Sequence, residues 1–179
     1  MGQTLSSTHK VTKHISFRPA EISDAEFILS LRLDESKNQY LSKVEDDIEA
    51  QRKWLQQYKE KEAKGLEHYF VIQNSAKEEL GVVRLYNIQG QSFSWGSWIL
   101  KPNAPIYAAI ESALTIYELG FNIANFQQSH FEVRKGNDSV IAFHKRFGAV
   151  EVGEDDLELK FVLQAGSYSQ VKQRYKKYF

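Results

Sequence analysis

The chain has 179 residues, 42% hydrophobic and 13% aromatic, with 23 basic and 23 acidic side chains and no cysteine. That length supports one domain with a real core, and a formal net charge of zero excludes the basic excess of a nucleic-acid binder. Without cysteine there is no disulfide framework, no thiolate metal site and no acyl-cysteine intermediate.

No apolar run approaches the roughly 20 residues that span a bilayer, and no secretory signal is visible. A soluble cytoplasmic protein with no membrane or nucleic-acid partner is expected. Residues 1–13 are polar and aperiodic and read as a flexible tail, leaving 14–179 as a single domain. Met1-Gly2-Gln3-Thr4-Leu5-Ser6 fits the loose N-myristoylation pattern, which short sequences match by chance.

Ile15–Pro19 reads as a first strand. Ser23 or Asp24 can cap a helix carrying Phe27, Ile28, Leu31 and Leu33. After a polar linker, Asp46 or Asp47 opens a second helix with Ile48, Trp54, Leu55 and Tyr58 on its apolar side and Gly65 past its end. Strands at Tyr69–Gln73, Leu80–Asn87 and Ser92–Leu100 follow, and the short turns between them predict antiparallel neighbours. On the third, Phe93 and Trp95 should point one way and Trp98 the other. Gly96 between the tryptophans predicts a bulge, or backbone left open to a ligand.

Lys101-Pro-Asn-Ala-Pro105 leads into a helix from Ile106 to about Leu119, with Asn103 as its N-cap and Gly120 at its end. Phe131 and Val133 then alternate with His130, Glu132 and Arg134, the period of a strand. Gly136-Asn137-Asp138 turns the chain into a helix whose inward stripe is Val140, Phe143 or His144, and Phe147. A helix start beside a strand end offers free amides to an anionic or carbonyl ligand. Glu151–Asp156 reads as an acidic turn, Leu157–Leu163 as a last strand, and Val171, Tyr175 and Tyr178 as the anchors of a short terminal helix. The five histidines are scattered, and no metal site is expected.

Asn137 followed by Ala142-Phe-His-Lys-Arg-Phe-Gly-Ala149 resembles the last conserved block of the GNAT N-acetyltransferases, with His144 where that superfamily usually has Tyr and Ala149 replacing its final Phe. The element order supports the resemblance over residues 15–165. It implies an α/β (α+β) fold: a mixed, mostly antiparallel sheet of six to seven strands with helices on both faces. It also implies acetyl-CoA as donor, a primary amine of a small molecule as acceptor, and direct attack of that amine on the thioester.

By the same resemblance, Ser97, Trp98, Ile99, Asn103, Ala104, Ala108, Asn137 and Val140 would contact the donor. Arg32, Asn38, Tyr40 and Trp95 would contact the acceptor. His144 would be the acid at sulfur, and Glu132, His130 or Glu111 the base, unless Glu132 only pairs with Arg134. The chain departs from the family in its phosphate loop, having no glycine between Gly96 and Gly120. Within the superfamily it looks more like the enzymes acting on nucleotide-linked amino sugars than like the protein N-terminal acetyltransferases. A protein N-terminal acetyltransferase and a non-catalytic acyl-CoA-binding module are the alternatives. A homodimer is left open.

Overall fold

The computed structural model describes residues 5–179; the first four residues of the lipidation pattern fall outside that range. Seven strands form one sheet in the order β1-β2-β3-β4-β5-β7-β6. They are β1 (Ile15–Pro19), β2 (His68–Asn74), β3 (Glu79–Gln89), β4 (Ser92–Leu100), β5 (Gln128–Arg134), β6 (Val150–Glu154) and β7 (Glu158–Gln164). The helices are α1 (Ala25–Leu33), α2 (Ile48–Ala63), α3 (Ile106–Tyr117), α4 (Asp138–Arg146) and α5 (Ala165–Arg174).

Alternation along the strands builds two cores. Tyr69, Val71, Val82 and Ile99 face α1 and α2 and pack on Ile28, Leu31, Leu55 and Tyr58. The intervening Phe70, Ile72, Val83 and Leu85 face the other way, into a larger core with Phe17, Phe93, Trp95, Leu114 and Tyr117. Each such large apolar side chain contributes about 1.5–3 kcal/mol by leaving water, so the pleat itself fixes which helices cover which face. Asp47 starts α2 as expected, its Oδ1 accepting from the amides of Glu49 and Ala50 at 3.0 Å each. The terminal helix docks through Tyr168 and Val171, with Tyr175 stacked on Phe147 at 4.9 Å between ring centroids.

Three elements differ from the sequence reading. The acidic stretch after Val150 is not a turn throughout. It contains β6, an edge strand paired only with β7 and exposed along its whole length. Val150 and Val152 do alternate with Glu151, but both are exposed, and the glycine and acidic residues that follow give the stretch the composition of a turn. Residues 5–13 differ from a loose tail: Leu5 is buried, the amide of His9 donates to the carbonyl of Phe17, and Thr12 is buried with its hydroxyl 3.3 Å from that of Thr115. Scattered single anchors leave no period to read. Third, α3 passes at Tyr117 into a π-helical turn, Glu118–Ile123, rather than stopping at Gly120. Gly120 instead lies against Phe93, whose ring stands 2.2 Å from where a Cβ would be.

The predicted bulge is present, and it reverses the expected direction of Trp98. Arg84 pairs with Gly96 and Val82 with Ile99, so two steps along β3 face three along β4. The extra residue is absorbed near Ser97, at φ 46°. One inserted residue inverts the alternation beyond it. Trp98 therefore comes round to the face of Trp95, with ring centroids 5.3 Å apart.

Candidate active site

Among the described residues β4 and β5 are the sheet's only parallel neighbours, and they pair only at Ser92–Gln128 and Phe93–Ser129. Beyond that the strands part, and the β5-facing edge of β4 has no strand partner. The gap opens into a cleft of about 680 Å³. Trp95, Phe131, Val140 and His144 line it on the face covered by α4. Arg32, Tyr40, Arg84, Tyr86, Glu132 and Glu158 line it on the opposite face. Tyr40, from the connection between α1 and α2, spans the cleft mouth, its hydroxyl donating to the carbonyl of Gly136 at 2.9 Å.

Ser97, Trp98, Ile99 and Asn137, expected at the donor site, also line this cleft. Asn137 occupies the N-cap position of α4, but its side chain caps nothing and makes no hydrogen bond among the described residues. No side chain caps α3 either. Its N-cap position is held by Pro105, not by Asn103, which is exposed in the preceding turn. The residues fit an acetyl-CoA-like donor: an unpaired strand edge suits the amides of an extended arm, and two helix starts without side-chain caps suit its carbonyl or phosphate oxygens.

Other expected contacts are elsewhere. Ala108 is fully buried in the core, and Ala109, one residue on, lines the cleft in its place. Ala104 packs against the core beside α3. Asn38 lies outside the lining; its carbonyl accepts from the amide of Leu41. His130 lies outside the cleft lining. Its Nδ1 is 2.6 Å from Ser92 Oγ and its Nε2 is 3.3 Å from the Asn87 amide nitrogen, so both ring nitrogens are engaged where β4 and β5 are still paired. Glu111 is buried beneath His14, accepting from its backbone amide at 2.8 Å, and is not part of the cleft lining.

His144 does project inward from α4, as its stripe predicts. It is 5% exposed, boxed by Phe131 at 4.3 Å and Trp95 at 5.3 Å between ring centroids. Burial without a compensating charge pushes its pKa down to about 4. Its Nδ1 is buried and has no hydrogen-bond partner. Near neutral pH the ring is therefore uncharged, with one N–H to offer and no proton to surrender as an acid.

Glu132 does not pair with Arg134. Arg134 Nε instead approaches Glu158 Oε1 at 3.5 Å, and Lys160 lies 3.9 Å from Glu132. Carboxylate oxygens of Glu132, Asp155 and Glu158 come within 4.8 Å of one another. A hydrogen bond shared with Glu132 raises the pKa of Glu158. The Lys160 ammonium, also 3.7 Å from Asp155, already supplies this cluster with a cation. Glu158, Arg84 and Tyr86 escaped the sequence reading. Glu158 follows the acidic stretch taken for a turn, and only the β5–β7 register sets it opposite Arg134. Gly96 was the available signal for Tyr86: a Cβ there would stand 3.0 Å from the tyrosine hydroxyl.

Comparison with known proteins matches residues 14–150 to the acetyltransferase (GNAT) domain family. The apo structure of FdhC, a nucleotide-linked sugar GNAT, superposes with a TM-score of 0.89 at 41% identity, over 96% of this chain and 98% of that one. A GCN5-related N-acetyltransferase from Brucella melitensis gives 0.80 at 15% identity, over 96% and 85%. The spermidine N-acetyltransferase of Vibrio cholerae, in complex with CoA and spermine, gives 0.74 at 18%, over 87% and 98%. At those last two identities the likeness is one of fold. A search of curated protein sequences returned no match.

Proposed function

The chain belongs to the GNAT acetyltransferase family, and from that premise we propose that it transfers an acetyl group from acetyl-CoA directly to the amine of a nucleotide-linked amino sugar. The observation that carries the reading is the parting of β4 and β5, which joins an aromatic, amide-edged slot to a wall of carboxylates and arginines. The acceptor class rests on the 41% identity with FdhC.

Ser97, Trp98, Ile99, Asn137 and Val140 would hold the donor, which supplies the thioester that the amine attacks. Such an amine arrives as an ammonium and must lose a proton before its lone pair can form the C–N bond. The Glu132–Glu158 pair lines the cleft, carries negative charge and is solvent-accessible, so it can attract the ammonium and take that proton. Trp95 and Tyr40 bound the acceptor's path, and Arg32 faces its anionic end. As the C–S bond breaks, charge collects on sulfur. The neutral His144 ring can donate a hydrogen bond there, while the thiolate takes its proton from water. No covalent enzyme intermediate is needed.

Thiol release should be measured with acetyl-CoA and a panel of nucleotide-linked amino sugars, polyamines and peptides. The expected result is turnover with at least one sugar. Turnover confined to peptides or polyamines overturns the acceptor class, and failure to bind acetyl-CoA at millimolar concentration overturns the donor.

A further inference from the structure

A second cavity of about 450 Å³ adjoins the cleft. Arg32, Ser42, Arg84 and Ser97 line both, so the two guanidinium groups stand at the neck between them. Glu45 and Asp47 also line the smaller cavity, but neither forms an ion pair with these guanidinium groups among the described residues. Among the described residues no carboxylate forms an ion pair with Arg32, whose Nη2 donates instead to Ser42, to its carbonyl at 3.0 Å and its Oγ at 2.8 Å. Arg84 lies over the rings of Tyr86 at 4.4 Å and Trp54 at 5.6 Å, and the carboxylate it meets among the described residues is Glu67, at 3.8 Å, which is also 3.1 Å from Lys61. Among the described residues Arg32 Nε and Arg84 Nε are buried without a hydrogen bond of ordinary geometry, and both guanidinium groups stand close enough to the buried Tyr69 hydroxyl to favour its ionised form.

Leaving donors of a charged group buried and unpaired is costly, and an anion that fills the neck removes that cost. The fork of an arginine matches a phosphate with two parallel bonds. Beyond the neck the small cavity presents the partly buried Trp54 ring, which stacks on Tyr58 and meets Tyr69 edge-on, and the buried amide of Gln51. An aromatic face and an amide suit a heterocyclic base, and the volume lies in the ordinary range of small-molecule pockets, roughly 300–1,000 Å³.

We infer that Arg32 and Arg84 clamp the diphosphate of the acceptor and that the cavity beside Trp54 receives its nucleoside. This rests on the nucleotide-linked acceptor proposed above and adds its orientation: base beside Trp54, diphosphate at the neck, amino sugar in the cleft toward Glu132 and Glu158. The same pair of cations repels a polyamine, so it selects against the acceptor of the spermidine enzymes as well as for a diphosphate.

The probes are UDP, dTDP and inorganic pyrophosphate, titrated calorimetrically into the full chain, with acetyl-CoA titrated in parallel. The parent should bind at least one nucleoside diphosphate more tightly than pyrophosphate. Arg84→Met and Arg32→Met should each weaken that binding roughly 10- to 100-fold, the usual effect of losing a charge-assisted bidentate contact, and leave acetyl-CoA affinity within about twofold. Arg84→Lys, which keeps the charge and the fold, should fall between parent and Met. Trp54→Leu should abolish the preference for nucleoside diphosphate over pyrophosphate. If neither nucleoside diphosphate binds the parent, or if both Arg→Met variants and Arg84→Lys bind it like the parent, the clamp is wrong. The acceptor reading fails separately, if the parent acetylates no nucleotide-linked amino sugar.

Discussion

At the scale of single residues the cleft separates groups that can move a proton from groups that can only offer a hydrogen bond. His144 is of the second kind, because burial holds its pKa at about 4. His144→Phe should therefore keep acetyl-CoA affinity and lose roughly 10²-fold in kcat, as when an oxyanion-hole donor is removed. The acid limb of its pH–rate profile should not move. A variant turning over at the parent rate would make His144 a packing residue. The acid limb belongs to the carboxylate pair. A base must be ionised, and the hydrogen bond that protonated Glu158 can donate to the Glu132 carboxylate raises its pKa, so activity should fall as pH drops through a value above that of an ordinary glutamate. Glu132→Gln takes away one negative neighbour, so the limb should shift to lower pH while kcat falls, by up to roughly 10²–10⁴-fold if Glu132 is itself the base. A limb that stays in place in both Glu132→Gln and Glu158→Gln assigns the proton to neither. Asn137 has a free side chain at the start of α4. Asn137→Ala should raise the KM for acetyl-CoA with a smaller effect on kcat, since it removes binding common to ground and transition states.

At the scale of elements, the site depends on two local irregularities. The bulge near Ser97 turns Trp98 toward Trp95 and leaves the backbone of β4 unpaired toward β5. The π-helical turn after α3 brings Gly120 onto Phe93, at the point where β4 and β5 are still joined. Gly120→Ala would place a methyl inside the Phe93 ring, which backs the shared end of the two strands. It should destabilise the fold by about 1–3 kcal/mol, the usual cost of overpacking. Gly153 on the exposed edge strand has open space around its would-be Cβ, and Gly153→Ala should change stability by no more than about 0.5 kcal/mol. Denaturant melts of the two variants compare these directly; equal effects would show that Phe93 yields freely.

For the whole molecule, two buried histidines tie stability to pH. Burial, with a smaller contribution from neighbouring His9, holds His68 at about 4, the same value as His144. Both folded values lie below the ordinary 6.5, so between pH 6.5 and 4 the unfolded chain binds more protons than the folded one. The stabilisation is complete above about pH 6.5 and is lost as pH falls through 4. Melting temperature should therefore drop steeply between pH 6.5 and 4. His144→Phe should flatten that drop, and an unchanged slope in the variant would contradict the burial argument.

How far the sequence reached differs between the fold and the site. The sequence by itself determined β1 and β4 to the residue and the start of α2 to within one, because Pro19, the apolar run from Phe93 and the paired aspartates before Ile48 act on their own neighbours. It also placed Asn137 and His144 on the helix that faces the cleft, since helical spacing is a local property. It failed where meaning comes from a partner strand. β6 is short, and its Val150 and Val152 face water rather than a core, His130 is hydrogen-bonded by Ser92 and Asn87 from other strands, and Trp98 is turned by a bulge whose register only β3 fixes. Only the tertiary structure decided that Arg32 and Arg84, 52 positions apart in sequence, share one neck, and that Glu132 meets Glu158 across the β5–β7 ladder. Ionisation and anion binding depend on what the fold brings near a group and how much water it removes, and neither quantity is written in the order of residues along the chain.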